Sequence, residues 1–106
     1  MEDAPAYEAF DSPFASFEWD EDKRQINIAK HGIDFRQVPD LFEQRLCRRR
    51  SDQNGEMRFL VVGVLNDVEI SIVYTEREEG VCRIISARRA RPEERRAYRS
   101  LYARGD

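Results

Sequence analysis

The chain has 106 residues, enough for one domain and too few for two. Charged residues make up 37% of it against the usual quarter, and no apolar run approaches the roughly 20 residues of a membrane span. A membrane-spanning helix is therefore excluded, and two cysteines without CxxC spacing plus one histidine exclude a Cys/His zinc set.

The formal net charge of −3 conceals an asymmetry. Residues 1–22 hold eight of the 21 acids and no Lys or Arg, so the other 84 residues carry all 18 bases against 13 acids. Sixteen of those bases are Arg. Guanidinium presents a flat fork of donors that fits phosphate oxygens two at a time, and it stays charged at any biological pH. The bias points to a phosphate backbone, RNA above all, as ligand. Cys47 and Cys82 are expected as free thiols in a reducing compartment. The acidic N-terminus lacks the basic start of a signal peptide, so the expected location is the cytoplasm.

Residues 1–16 (MEDAPAYEAFDSPFAS) are acidic, contain Pro5 and Pro13 and show no periodicity. They read as a flexible arm outside a single domain at 17–106. Tyr7, Phe10 and Phe14 have a loose three-to-four spacing through which the arm can dock. Phe17 to Trp19 reads as a short strand. Asp20 caps a helix running to about Lys30, with Glu21 and Asp22 in its first turn and Gly32 as its left-handed stop. His31 falls at that helix's C-terminal end. Asp34 with Gln37 forms a capping box, and Ile33 with Val38 a hydrophobic staple, so a second helix is expected from Phe35 to near Glu43. Pro39 bends or shortens it.

Arg45 to Arg50 reads as an exposed or edge strand. Asn54-Gly55 signals a hairpin turn, and Arg58–Val64 is apolar enough for a central strand. After a turn at Asn66-Asp67, Val68–Tyr74 alternates, with Val68, Ile70, Ile72 and Tyr74 on one face. A charged turn, Glu76 to Gly80, leads to a strand over Val81–Ala87. Pro92, Glu93 and Glu94 open a last helix to about Ala103. The order β-α-α-β-β-β-β-α, with tight turns between its later strands, gives an α+β domain. A small antiparallel sheet packs on helices that cover one face and leave the other open.

The chemistry concentrates in ISARRARPEERRAY, residues 85–98. Arg91, Arg95 and Arg99 form one row on the last helix, where like charges repel unless acids or a polyanion offset them. Arg58, Arg77, Arg83 and Arg88 sit in or at the ends of strands, where a charge must reach solvent or be paired. Alternation puts Arg83 opposite Cys82 and Ile84, hence on the open face, where several arginines would cradle phosphate. His31 is the one side chain that exchanges protons near neutral pH without special tuning. Glu76 is a candidate base, and Tyr74 a candidate acid or stacking platform. No Gly-rich phosphate loop, nucleophile elbow or metal-ligand cluster is present, so neither metal nor cofactor is expected.

Two stretches resemble a known family. FEWDEDKRQINIAKHGI (17–33) is similar to the opening of the BrnT toxins. IVYTEREEGVCRIISARRARPEERRAY (72–98) resembles their second hallmark, a strand end before RIISAR and an ERxxY helix. With the meander between them, the likeness covers about residues 17–103. It implies a RelE-like ribonuclease fold and the toxin half of a type II toxin–antitoxin pair. The implied partner is a BrnA-like ribbon-helix-helix antitoxin, through which alone the pair would read promoter DNA.

The implied reaction is attack of a ribose 2′-OH on the adjacent phosphate with loss of the 5′ oxygen. It needs a base, an acid and cations. His31 is the expected acid or base, and Arg58, Arg77 and Arg88 the expected holders of the scissile phosphate. Tyr74 or Glu76 would carry the second proton, or Tyr74 would stack a base. Arg83, Arg91 and Arg95 extend the RNA-binding surface. Two other expectations stand beside this one. The domain is an inactive antitoxin-binding or co-repressor module, or its acidic arm covers the arginine face in cis.

Overall fold

The computed structural model describes residues 6–102. Its elements in chain order are β1 (Glu8–Phe10), β2 (Ser16–Glu18), α1 (Glu21–His31), a 3₁₀ turn (Phe35–Gln37) and α2 (Val38–Leu41). There follow β3 (Leu46–Arg50), β4 (Phe59–Leu65), β5 (Val68–Glu78), β6 (Val81–Arg89) and α3 (Pro92–Tyr102). One six-stranded sheet runs in the order β1-β3-β4-β5-β6-β2. Strands β3 to β6 form the antiparallel meander that their short connections require. Asn66 and Asp67 both take positive φ, the geometry of a two-residue hairpin whose twist matches its strands.

The first helix forms as its signals dictate. The Asp20 side chain accepts from the N–H groups of Asp22 and Lys23, and Gly32 closes the helix at φ 71° with its N–H on the Ile28 carbonyl. The Asp34–Gln37 capping box is present, but the segment it opens is broken. A 3₁₀ turn ends at Gln37 and α2 restarts at Val38, so Pro39 falls in a first turn, where a missing N–H costs no helical bond. The expected helix to Glu43 therefore stops at Leu41.

Four further expectations are corrected. Residues 8–10 of the supposed arm are a strand, pairing Glu8, Ala9 and Phe10 with Arg48, Cys47 and Leu46; residues 1–5 of that arm lie outside the described residues. Arg45–Arg50 is not an exposed edge, because β1 covers it and Leu46 and Cys47 are fully buried. The sheet is mixed, since β2 runs parallel to β6, with Phe17 opposite Cys82. Nor is the second sheet face open: α3 packs across it on β3 and β4. The Tyr98 hydroxyl donates to the Arg45 carbonyl at 3.0 Å, and the Tyr102 hydroxyl donates to the Leu46 carbonyl.

The fold thus has two cores. Under α1, the 3₁₀ turn and α2, Leu46, Val61, Ile72, Tyr74 and Ile84 pack on Phe35, Val38, Leu41 and Phe42. Under α3, Cys47, Leu60, Val62 and Ala90 meet Val73 and Tyr98. Alternation along each strand feeds both. Beyond β2, the rim of β6 is completed by a side chain. Asn27 on α1 donates to the Ala87 carbonyl at 2.9 Å and accepts from the Ala87 N–H at 3.1 Å, as a neighbouring strand would. Its amide also donates to the Ile33 carbonyl at 2.8 Å, which ties α1 to the sheet end.

Candidate functional site

The two ends of the sheet gather different chemistry. Strand rise places the ends of β5 roughly 30 Å apart. At the Val68 end, exposed His31 shares a cleft of about 240 Å³ with Ile33, Asn66, Ile70 and Arg89. Arg89 also lines the adjoining cleft of about 200 Å³ with Asp67, Glu69, Arg95 and Arg99. Glu69 holds Arg99 through two bonds of 2.7 and 2.8 Å, and Arg95 donates to the Ala90 carbonyl at 2.8 Å. The Arg89 guanidinium has no protein partner among the described residues and is exposed.

At the other end, Arg77 is the unpaired residue of a β-bulge, between Glu76 opposite Cys82 and Glu78 opposite Val81. It lines a depression of about 450 Å³ with Glu56, Met57, Phe59, Thr75 and Glu76. Arg58 is engaged by Glu56 at 2.8 Å and Gln53 at 2.9 Å. Glu76 accepts from the Gly80 N–H at 3.3 Å, and Arg83 donates to Glu18 at 3.1 Å. His31 is thus separated from Arg58, Arg77 and Glu76, the residues expected to share its site.

Arg88 stands next to Arg89 but on the opposite face of the sheet, paired with Ser71. Its guanidinium makes two bonds of 2.8 Å to Glu94, which is 1% exposed. The Ser71 hydroxyl donates to the same carboxylate at 2.7 Å and the Arg91 N–H at 2.8 Å. Burial pushes the Glu94 carboxyl up, but these donors outweigh it and hold it at about 2. Arg88 therefore anchors α3 to the sheet, and Arg91 caps that helix through its backbone while its side chain is exposed.

Tyr74 has no exposed surface. Burial pushes its hydroxyl up to about 12 although Arg48 donates to it at 2.9 Å, which argues against a proton carrier. Burial likewise raises the Cys47 and Cys82 thiols, so neither free cysteine is reactive. Among the described residues no three His, Cys, Asp or Glu side chains gather to hold a metal. No helix there is long and apolar enough to cross a membrane.

Arg48 and Arg89 are not among the expected site residues, although strand alternation carries a signal for both. An Arg-Arg pair in a strand puts one guanidinium on each face, and Arg88-Arg89 does so. The same alternation in Leu46-Cys47-Arg48 puts Arg48 on the aromatic face with Leu46.

A small mixed sheet between short helices, with guanidinium groups along its rims and one accessible histidine, defines a compact domain suited to a polyanion. A family description of ribonuclease toxins, BrnT, of type II toxin–antitoxin systems matches residues 19–94. The chain belongs to this BrnT family. It is also similar to the crystal structure of the Brucella abortus ribonuclease toxin BrnT, at 28% identity and a TM-score of 0.56, covering 72% of this chain and 96% of that one. No curated protein matches the sequence.

Proposed function

We propose that this ribonuclease toxin cleaves single-stranded RNA without a metal at the Val68 end of the sheet, with His31 as acid or base and Arg89 on the scissile phosphate. The carrying observation is that the one histidine and an unengaged guanidinium line the same cleft. The 2′-OH loses its proton to a base as its oxygen bonds phosphorus, and the P–O5′ bond breaks as that oxygen is protonated. A cyclic phosphate and a free 5′-OH result, and the arginines offset charge on the crowded phosphorane. Arg95, whose guanidinium is bonded to a carbonyl and not to a carboxylate, extends the path for the next phosphate. Growth inhibition would follow from loss of translated RNA in the cytoplasm, and a BrnA-type antitoxin would neutralise the toxin. A RelE-like relationship fits the small sheet and helix order.

Purified protein should cut RNA in EDTA, leaving cyclic phosphate ends. His31→Ala and Arg89→Ala should each slow cleavage by about 10²–10⁴, and Arg77→Ala far less. Equal cleavage by His31→Ala, or loss of cleavage in EDTA, would overturn the reading. A second reading, a binding module without catalysis, draws on the engagement of Arg58 and Arg88 by carboxylates and the burial of Tyr74. Unimpaired growth of cells expressing the chain alone would favour it.

A further inference from the structure

The N-terminal strand meets the sheet on arginines. Arg48 stands between two rings, its guanidinium carbon 4.0 Å from the Phe10 centre and 4.1 Å from the Phe59 centre. The same guanidinium donates to the Tyr74 hydroxyl at 2.9 Å and reaches the Glu8 carboxylate at 3.4 Å. Beside it, Arg49 donates to the Tyr7 hydroxyl at 3.1 Å. One short strand therefore lays an aromatic ring on the face of Arg48 and an anion at its edge.

That pairing is what a nucleotide of single-stranded RNA offers a guanidinium: a base to stack and a phosphate to accept. The receiving side chains Arg48, Phe59 and Tyr74 lie inside the family match at 19–94, while Tyr7, Glu8 and Phe10 lie ahead of it. The seat therefore belongs to the family region and its occupant does not. The occupant's anionic end is weakly held, because the Glu8 contact is long and its side chain is 65% exposed.

We propose that Arg48, backed by Phe59 and Tyr74, is a nucleotide subsite for single-stranded RNA that residues 7–10 fill in cis. The inference rests on the RNA-directed reading above, but not on which end of the sheet cleaves.

The test uses the full chain and an unstructured 2′-O-methyl RNA oligonucleotide, which lacks the attacking hydroxyl, so binding is read without cleavage. Glu8→Gln with Phe10→Ala should tighten binding about tenfold by fluorescence anisotropy, the scale of one freed stacking position. Adding Arg48→Ala should return affinity to the starting value. Asp11→Asn, which removes the same charge outside the seat, should change nothing. If the double variant does not melt cooperatively, Glu8→Gln alone should gain about twofold and lose that gain with Arg48→Ala.

Unchanged or weaker binding by a folded double variant would refute the subsite. So would a gain that survives Arg48→Ala, or capture of a peptide of residues 6–12 with no gain for RNA. Tighter oligonucleotide binding without cleavage of unmodified RNA keeps the subsite and removes the ribonuclease reading. Cleavage with unchanged oligonucleotide binding does the reverse.

Discussion

Arg88 and Arg89 are neighbours in β6 and serve two regions with opposite logic. Where α3 joins the sheet, Arg88 is locked to Glu94 with Ser71 and the Arg91 N–H completing the carboxylate's bonds. Where α1 ends, Arg89 lines the His31 cleft with no protein partner among the described residues. The first charge is spent on holding a helix in place. The second remains available to a ligand. Arginine content therefore says little about function until each guanidinium is assigned a counter-charge.

The largest expected effect breaks the locked region. Glu94→Ala removes the buried partner and leaves Arg88, whose side chain is only 19% exposed, without its counter-charge. Breaking one side of a buried pair costs about 3–5 kcal/mol, measurable by urea denaturation. Arg89→Ala should stay within about 0.5 kcal/mol of the parent. A loss below 1 kcal/mol for Glu94→Ala would mean that Arg88 finds solvent easily, and the contrast would dissolve.

A smaller effect comes from acid. The Glu94 carboxyl sits at about 2 in the fold against an ordinary 4.5. The Arg24 hydrogen bonds hold Asp34 at about 2 as well, aided by the Arg36 N–H. Both values are depressed, so their stabilisation is full above the ordinary carboxylate range and is lost as pH falls toward 2. Thermal midpoints should therefore drop between about pH 5 and pH 2, and the drop should be shallower in Glu94→Ala. Parallel curves for parent and variant would show that Glu94 does not carry its share.

The elements legible in the sequence were those written locally. Asp20 and Gly32 bracket α1, and the turns at Asn54-Gly55 and Asn66-Asp67 mark out the meander. Strand β1 was not legible, because its partner β3 lies some forty residues away and no local pattern encodes that pairing. Pro5 and Pro13, with the run of acids, argued for an arm instead. The site failed for a subtler reason. Ile85 is an unpaired bulge residue between Ile84 opposite Tyr74 and Ser86 opposite Val73. Simple alternation would put Arg88 on the face of Cys82 and Ile84; the bulge moves it beside Arg83's face and brings Arg89 round instead. One inserted residue thus decides which arginine joins the histidine.

The smallest effect concerns charges that are neither locked nor in the cleft. Arg91 is exposed, with its side chain free of any protein bond among the described residues, so the proposed role on RNA is screened attraction alone. Arg91→Ala should weaken RNA binding by a similar factor for every sequence and reduce the salt slope by about 0.7, the single-strand value for one phosphate contact. Arg89→Ala should instead slow cleavage even when RNA saturates the protein. Titrations at several salt concentrations, paired with single-turnover rates, separate the two. If Arg91→Ala lowers the saturated rate as far as Arg89→Ala does, the reacting phosphate lies nearer α3 than the His31 cleft, and the division between anchoring and acting arginines must be redrawn around Arg91.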